Sequence, residues 1–515
     1  MKKILMLLVA LVATAAFAAC GGDDASDGGG GTTTVSTLSV RPLSLTFTAQ
    51  GGQQTVSAQA PSQPTATSTA DWCQVSVGPL SGSLKVSTVT VVVAPNTTTY
   101  ERTATITITA GTQSQTVTVS QAEGTAPSQP TGSITKEARA IAKEMAPGWN
   151  LGNTLEATGS GLAAETAWQP TKTTQQVIDA VKAAGFNSVR IPCSWDLHCD
   201  SNGRIDAEWL ARVKQVVDYC IGAGLYVVLN DHWDGGWIEV LGFSKSADSY
   251  QSVVGNQEYI QSKANRLADL WTQIATAFRD YDEHLLFAGL NEPFQQYNLF
   301  SSHHEELTPI LAIYNAAFVA AVRATGGNNA LRTLVIQGPS TDISSTTRYY
   351  ADGLMPEQAG RLMLEVHYYN PGQFCGTFDA SGDKAFYYWG NGNHAADHNA
   401  TYGEEADMQQ LFASLGDRFT SKGYPVIIGE YAGLQRTITA NQDKHNASVR
   451  AYYECVNRYA TDNGIVAFAW DTNDVAGLLT EGGSSTIIDR AKAAVVGQHA
   501  LDGIKAGVAA AQWPY

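Results

Sequence analysis

The chain has 515 residues, 44% of them hydrophobic and 16% charged, and a formal net charge of −16 at pH 7. That length exceeds one ordinary domain and supplies enough apolar material for a large core, so two folded units are expected. A surface this acidic repels phosphate backbones, which excludes nucleic acid as a natural partner and leaves neutral polymers open.

The first nineteen residues have the build of a secretory signal: Lys2 and Lys3, an apolar run from Ile4 to Val12, and small residues ending AAFAAC at Cys20. A Cys directly after the small residues resembles a bacterial lipobox, which implies that Cys20 is lipidated and becomes the mature N-terminus. Phe17 departs from the aliphatic residue usual in that motif. The following GGDDAS resembles the export signal of Bacteroidetes surface lipoproteins, and implies an outer-membrane protein facing the cell surface. No later stretch reaches the roughly 18 consecutive apolar residues of a spanning helix, so the membrane is expected as a partner through the lipid anchor only.

Residues 20–36 are a Gly, Asp, Ser and Thr tether. From 37 to 122 the composition turns to Thr, Ser, Val and Gln, with period-two alternation in SLTFTA, STVTVVVA, ATITITA and QTVTVSQ. With turns at Gly51-Gly52, Gly82 and Gly111, this predicts an all-β, immunoglobulin-like sandwich of about seven strands. LSV with LTFTAQGGQQTV, DWCQV, and ERTATITITAG with TVTVSQ together resemble the BACON domain of Bacteroidetes glycan-handling proteins. The name implies carbohydrate binding. The segment's single tryptophan, Trp72, is expected in its core, so a spacer is the favoured reading. Residues 123–133 form a Pro- and Gly-containing linker.

From 134 to 515 eight apolar runs alternate with helix-period segments: GWNLGNT, SVRIPCS, YVVLNDH, LLFAGLNE, RTLVIQG, LMLEVHYY, PVIIGEY and GIVAFAWD. Helices are expected between them, for example at Thr173–Gly185 and Glu208–Gly222. The pattern predicts an α/β fold, a (β/α)8 barrel with loop insertions. A doubly wound sheet is the alternative, but no Gly-rich phosphate loop follows any run.

The runs close on polar or aromatic residues: Asn153, Arg190, His232, Asn291 with Glu292, His367 with Tyr369, Glu430 and Trp470. Singly, each has a bland reading as a helix cap or a packed ring. As a set at one barrel mouth, an Arg, two His and two Glu are costly unless they satisfy one another or a ligand. Two such carboxylates suit acetal hydrolysis, one protonating the leaving oxygen and the other attacking the anomeric carbon, about 5 to 5.5 Å apart. Glu430, if near Arg190, is the better nucleophile, and the Asn291 amide beside Glu292 suits a sugar 2-hydroxyl.

GWNLGN, GFNSVRIPCSW, VLNDHWDGGW, GLNEPF, EVHYYNP, VIIGEYAG and AFAWDTND, in order over about residues 135–515, resemble glycoside hydrolase family 5. The resemblance implies Glu292 as acid/base and Glu430 as nucleophile. It implies that Arg190 and Asn291 hold the nucleophile and the 2-hydroxyl, that His232, His367 and Tyr369 frame subsite −1, and that Trp470 is its floor. Asn153 matches the first-strand motif as a sugar contact. Trp233 stands where many family endoglucanases carry a second His, which bears on the glycan accepted.

Trp195, Trp233, Trp237 and Trp389 fall just past strand ends or in the long loop after Asn370, where they are expected as stacking platforms of an open cleft. His394 with His398, and HHEE at His303–Glu306, have metal-like spacing but lie in polar stretches, so no metal and no cofactor is expected. Beyond Cys20, six cysteines are expected mainly as free thiols, with Cys193 and Cys199 the only pair close in sequence. The sum is an endo-acting, retaining β-1,4-glucanase, a monomer acting on cellulose-like chains, mixed-linkage glucan or xyloglucan. β-Mannanase, or a catalytically silent glycan-binding lipoprotein, are the alternatives.

Overall fold

The computed structural model describes residues 35–82, 85–96, 101–124, 132–238, 254–294, 300–376 and 384–515. The expected signal segment and Cys20 lie outside the described residues. By its contacts the chain divides into two compact units, one ending at Ala122 and one running from Glu123 to Tyr515.

The first unit is a sandwich of two four-stranded sheets, ordered β1-β3-β6-β5 and β2-β8-β7-β4. Its strands are β1 (Ser39–Arg41), β2 (Ser44–Phe47), β3 (Gly52–Gln59), β4 (Thr65–Ser68), β5 (Cys73–Val77), β6 (Val86–Val93), β7 (Arg102–Ala110) and β8 (Gln113–Gln121). Alternation places Val89, Val91, Ile106, Ile108, Val117 and Val119 in a shared core. The opening segment forms two short strands. Pro42 lacks an N–H for either ladder, so β1 pairs with β3 while β2 crosses to pair with β8. Trp72 is half-buried against this core, with the Arg102 guanidinium 4.3 Å from its ring centroid.

The second unit is a closed, all-parallel barrel of β9 (Gly148–Asn150), β10 (Ser188–Ile191), β11 (Tyr226–Asn230), β12 (Leu285–Ala288), β13 (Leu334–Gln337), β14 (Leu362–Tyr368), β15 (Val426–Tyr431) and β16 (Ile465–Ala469). The predicted helices are present. Gln175–Ala184 is capped by the Thr174 side chain and ends at left-handed Gly185, and Ala207–Gly222 is capped by Asp206. Residues facing out of the barrel, such as Val227, Leu229, Leu364 and Ile428, meet these helices in the main core. Those facing in, including Tyr226, Val228, Leu286, Met363, Ile427 and Phe468, pack on the helix Ala138–Met145, which seals one end. Ser188 at the start of β10 donates to the Met145 carbonyl (2.7 Å), so the sealed end is the N-terminal one and the strand C-termini stay open. The helix Phe300–Ala324 contains a span, His303–Ala324, long and apolar enough to cross a membrane; 56% of its apolar window is buried inside the protein.

Candidate active site

Above the apolar floor the barrel interior turns polar, with Asn150, Arg190, Asn230, Gln337 and Glu365 all wholly buried. Arg190 on β10 is the hub. Its Nη1 donates to Asn150 Oδ1 and Glu430 Oε1, both at 3.0 Å, and its Nη2 to Asn291 Oδ1 at 2.6 Å. Nε lies 2.8 Å from Glu365 Oε1, close enough for charge pairing though its N–H is poorly aimed. Because a guanidinium only donates, the carbonyl end of Asn291 must face it, leaving the amide N–H2 turned away.

Alternation along β14 sends Glu365 and His367 inward. His367 Nδ1 is 2.8 Å from Glu292 Oε1 and 3.8 Å from Glu430 Oε2, while its Nε2 is 3.3 Å from Glu365 Oε1. Burial opposes charge on this ring, but Glu430, Glu292 and Glu365 outweigh it and lift its pKa to about 9. His367 is therefore an imidazolium at neutral pH. His232 is the opposite case. Burial, then Arg190 and His367, push it well below the ordinary value, so it stays neutral. Asn230 accepts from the Cys193 N–H through Oδ1, which turns its amide N–H2 towards His232 Nδ1 at 3.3 Å. The ring proton then sits on Nε2, 3.9 Å from Glu430 Oε1.

Glu430 reaches the site through a β-bulge. Strict alternation from inward-facing Ile427 would put Gly429 inside and Glu430 outside. Instead β15 carries an extra residue against β14, where Val366 pairs with Ile428 and His367 with Glu430. The bulge re-aims Glu430 into the barrel beside its inward neighbours. Arg190 holds its Oε1, and the Tyr369 hydroxyl donates to Oε2 at 2.9 Å. Burial raises the Glu430 carboxyl above its ordinary value and Glu292 adds to this, against the pull of His367, Arg190 and Tyr369. Glu365 is held below its ordinary value: Arg190, His367 and Gln337 together outweigh its burial.

The cluster contains two cations, Arg190 and His367, and three carboxyl groups, Glu292, Glu365 and Glu430. It is neutral when one carboxyl carries a proton. Glu292, at 17% the most exposed of the three, is open to a ligand at the mouth. One donor atom each from Glu292, His367 and Glu430 lies within 4.8 Å of the others. That spacing would suit a cation, but the oxygens of Glu430 are already held by a guanidinium and a hydroxyl.

Trp470 is half-buried, stacked on His232 with ring centroids 5.8 Å apart and planes at 15°. A Cβ on Gly152 would come within 2.9 Å of its ring, so that glycine lets the indole lie flat on the backbone. Asn153 lies in the loop after β9. With φ of 58° it turns its amide to the Thr472 carbonyl (3.5 Å), beside a cavity of about 430 Å³ that Trp168 also lines. Asn150, three residues earlier, makes the bond to Arg190. Trp389 is a correction: it is wholly buried, its indole donates to the Gly403 carbonyl (2.8 Å), and its edge packs on Tyr452, so it offers no face to a sugar. Trp195 is likewise buried, bonded to the Asn230 carbonyl. Trp233 and Trp237 remain half-buried at the rim.

The metal-like spacings dissolve into separate contacts. His394 pairs with Glu404 while His398 stacks on Tyr387; His303 faces Glu306 while His304 is buried between Ser340 and Ser345. The six described cysteines are free. Glu365 and Asn150 escape a reading of strand tips because they lie below the tips. The signal that finds them is the i, i+2, i+4 series Glu365, His367, Tyr369, and the same inward parity of Asn150 with Arg190 across β9 and β10.

A sealed (β/α)8 barrel whose open mouth holds two close glutamates, an arginine and an imidazolium defines a two-carboxylate glycoside hydrolase. The chain belongs to glycoside hydrolase family 5, whose cellulase model matches residues 153–475. The BACON model, described as an N-terminal binding domain, matches residues 62–122. The chain is 35% identical to endoglucanase A of Paenibacillus barcinonensis over 64% of this chain and 81% of that protein. It is 32% identical to the xyloglucan-specific endo-β-1,4-glucanase of Bacteroides ovatus over 83% of this chain and 84% of that one. A family 5 xyloglucan-specific β-1,4-glucanase from a ruminal metagenomic library, solved in complex with XXLG, shares 74% identity, with a TM-score of 0.71 over 74% of this chain and 98% of its own.

Proposed function

We propose that this protein cuts β-1,4-glucan chains internally with retention of configuration, that xyloglucan is its preferred polymer, and that Glu430 is the nucleophile and Glu292 the acid/base. The observation that carries the chemistry is the spacing of the two glutamates. An oxygen of each lies within 4.8 Å, whereas inversion needs roughly 6.5–9.5 Å between carboxyl groups to admit a water. Preference for xyloglucan is supported by 74% identity to a xyloglucan-specific relative.

The roles follow from what each carboxyl touches. Both Glu430 oxygens meet donors, Arg190 and Tyr369, which suits an anion aimed at the anomeric carbon. Its raised pKa makes it more basic, hence a stronger nucleophile, than a solvated carboxylate. As Glu430 forms the ester bond to C1, the bond from C1 to the leaving oxygen breaks and that oxygen takes the proton of Glu292. A water then attacks C1, gives its proton to Glu292 and releases Glu430. His367 stays on Glu292 throughout, and its second N–H faces Glu365, which balances its charge. Asn291, its carbonyl fixed by Arg190, turns its N–H2 to the 2-hydroxyl, and Trp470 supplies the floor. Export and a lipid anchor at Cys20 belong to the same reading and rest on the N-terminal sequence.

Reducing-end release from xyloglucan, mixed-linkage glucan, carboxymethylcellulose and glucomannan tests the substrate, with xyloglucan expected fastest and viscosity falling ahead of reducing ends. Glucomannan as the best substrate would favour a mannanase; no release from any would favour a binding protein. Glu430→Ala should lose roughly 10⁴-fold or more in kcat, the scale of removing a nucleophile. Azide should partly restore turnover of an activated aryl glycoside and give the inverted glycosyl azide. Azide rescue with overall retention would exchange the two roles.

A further inference from the structure

Two aspartates that the reaction does not use lie in the loop after β11. Asp234 is wholly buried at φ +48°, followed by Gly235 and Gly236 at +70° and +71°. Its Oδ2 accepts the backbone N–H groups of Trp195 (2.7 Å) and Asp196 (2.5 Å), and its Oδ1 that of Leu197 (3.0 Å). One carboxylate thus ties the loop after β10 to the loop after β11; burial raises it above the ordinary carboxyl value, and Asp231 and the three N–H donors pull it part of the way back. Asp231, 1% exposed, accepts the indole N–H of Trp237 on Oδ2 at 3.2 Å. Its Oδ1 is buried without a hydrogen-bond donor, and the carboxyl of Asp234 is in hydrogen-bonding contact. Two bare carboxylates in contact would repel and leave that oxygen unsatisfied; a single proton between them removes both penalties.

We propose that Asp231 and Asp234 share one proton and act as a positioning pair for the loop of Trp233 and Trp237, presenting Trp237 to the leaving-sugar half of the cleft. The loop flanks β12, which leads into Glu292, the group that protonates the departing sugar, so the assignment rests on the proposed hydrolysis. The surroundings agree. Burial and then Asp234 push Asp231 well above the ordinary carboxyl value, and Asp196 adds to it. Cys193 and neutral His232 bring no positive charge. The cations of the neighbouring helix Gln257–Ala277 are engaged elsewhere, Arg266 with Asp196 and Lys263 with the Trp237 carbonyl and ring.

The substitutions separate a shared proton from plain packing. Asp231→Asn keeps both contacts, because its N–H2 donates to Asp234 and its carbonyl accepts from Trp237; Asp231→Ala loses both. Asp231→Ala should raise KM for xyloglucan about tenfold while kcat moves by less than about threefold. Asp231→Asn should recover most of that KM at pH 6. The wild-type KM should climb in alkaline solution as the shared proton is lost, and that of Asp231→Asn should not. An infrared difference spectrum of the full-length protein, wild type minus Asp231→Asn, should show the carbonyl stretch of a protonated carboxyl at pH 7, a readout independent of turnover. If Asp231→Ala does not fold, Trp237→Phe, which removes the indole N–H together with one ring, should raise KM severalfold, and the infrared difference, which needs only the wild type and Asp231→Asn, still decides. Asn as impaired as Ala, a missing carboxyl band, or an Ala variant with lowered Tm and unchanged KM would each overturn the proposal. A wild type that shows the band yet hydrolyses no glucan would overturn the proposed hydrolysis and, with it, the cleft role, leaving only the shared proton.

Discussion

His367 carries a charge that burial alone would remove, and what keeps it is the company of Glu430, Glu292 and Glu365. Its pKa of about 9 in the folded protein stands above the 6.5 of a free imidazole, so folding takes up a proton there. The stability this confers is fully present below pH 6.5 and is lost as pH rises through about 9, on the order of 3 kcal/mol over the whole window. The Tm of the wild type should therefore fall between pH 6.5 and about 9, and this slope should be missing in His367→Asn, whatever that variant's starting Tm. The same loss should appear as the alkaline limb of kcat/KM, since a neutral ring no longer donates to both Glu292 and Glu365. Identical Tm slopes in the two proteins would place the charge elsewhere. His232, just past the strand next to that of Arg190 and 3.9 Å from Glu430, shows why residue type does not settle charge: burial, then Arg190 and His367, keep the same side chain neutral there.

At the scale of the element, the eight strands are legible in the sequence because each is a short apolar run between turn and helix signals, and their polar tips mark the mouth. What a run does not display is its register. Glu365 looks like a charge misplaced in LMLEVHYY until period-two alternation aligns it with His367, and Asn150 is overshadowed by Asn153 at the tip. The bulge in β15 is less legible still, since it depends on the pairing of β15 with both β14 and β16. Trp389 fails as a platform for a related reason: the sequence shows a tryptophan in a long loop, not the Gly403 carbonyl that draws its N–H inward. The bulge also explains Gly429. A Cβ there would fall 1.9 Å from Glu365 Oε1, and Glu365 is pinned by Arg190, His367 and Gln337. Gly429→Ala should then destabilise by roughly 1–3 kcal/mol, as overpacking does, and should lower kcat far more than it changes KM, because the strain falls on the strand that aims Glu430. Gly222→Ala, whose added Cβ meets nothing within 4 Å, is the matched control and should leave both unchanged. Equal behaviour of the two variants would mean that the bulge yields without moving the nucleophile.

For the whole molecule, each unit closes a hydrophobic core of its own, so the sandwich is not needed to complete the barrel. The solved ruminal relative matches 98% of its own length to 74% of this chain, a share about the size of the barrel unit. The sandwich offers one tryptophan, half-buried under Arg102, and alternating Thr and Val strands. That composition suits a spacer more than it suits a sugar platform. A chain beginning at Gly132 should accordingly keep kcat/KM on soluble xyloglucan within about threefold of the full protein, a difference under 1 kcal/mol. If Cys20 carries the proposed lipid, Cys20→Ser in the full chain should shift that activity out of the membrane fraction at unchanged kcat/KM. A shortened chain that melts like the barrel of the full protein but loses tenfold or so in kcat/KM, through KM alone, would instead assign glycan binding to the sandwich.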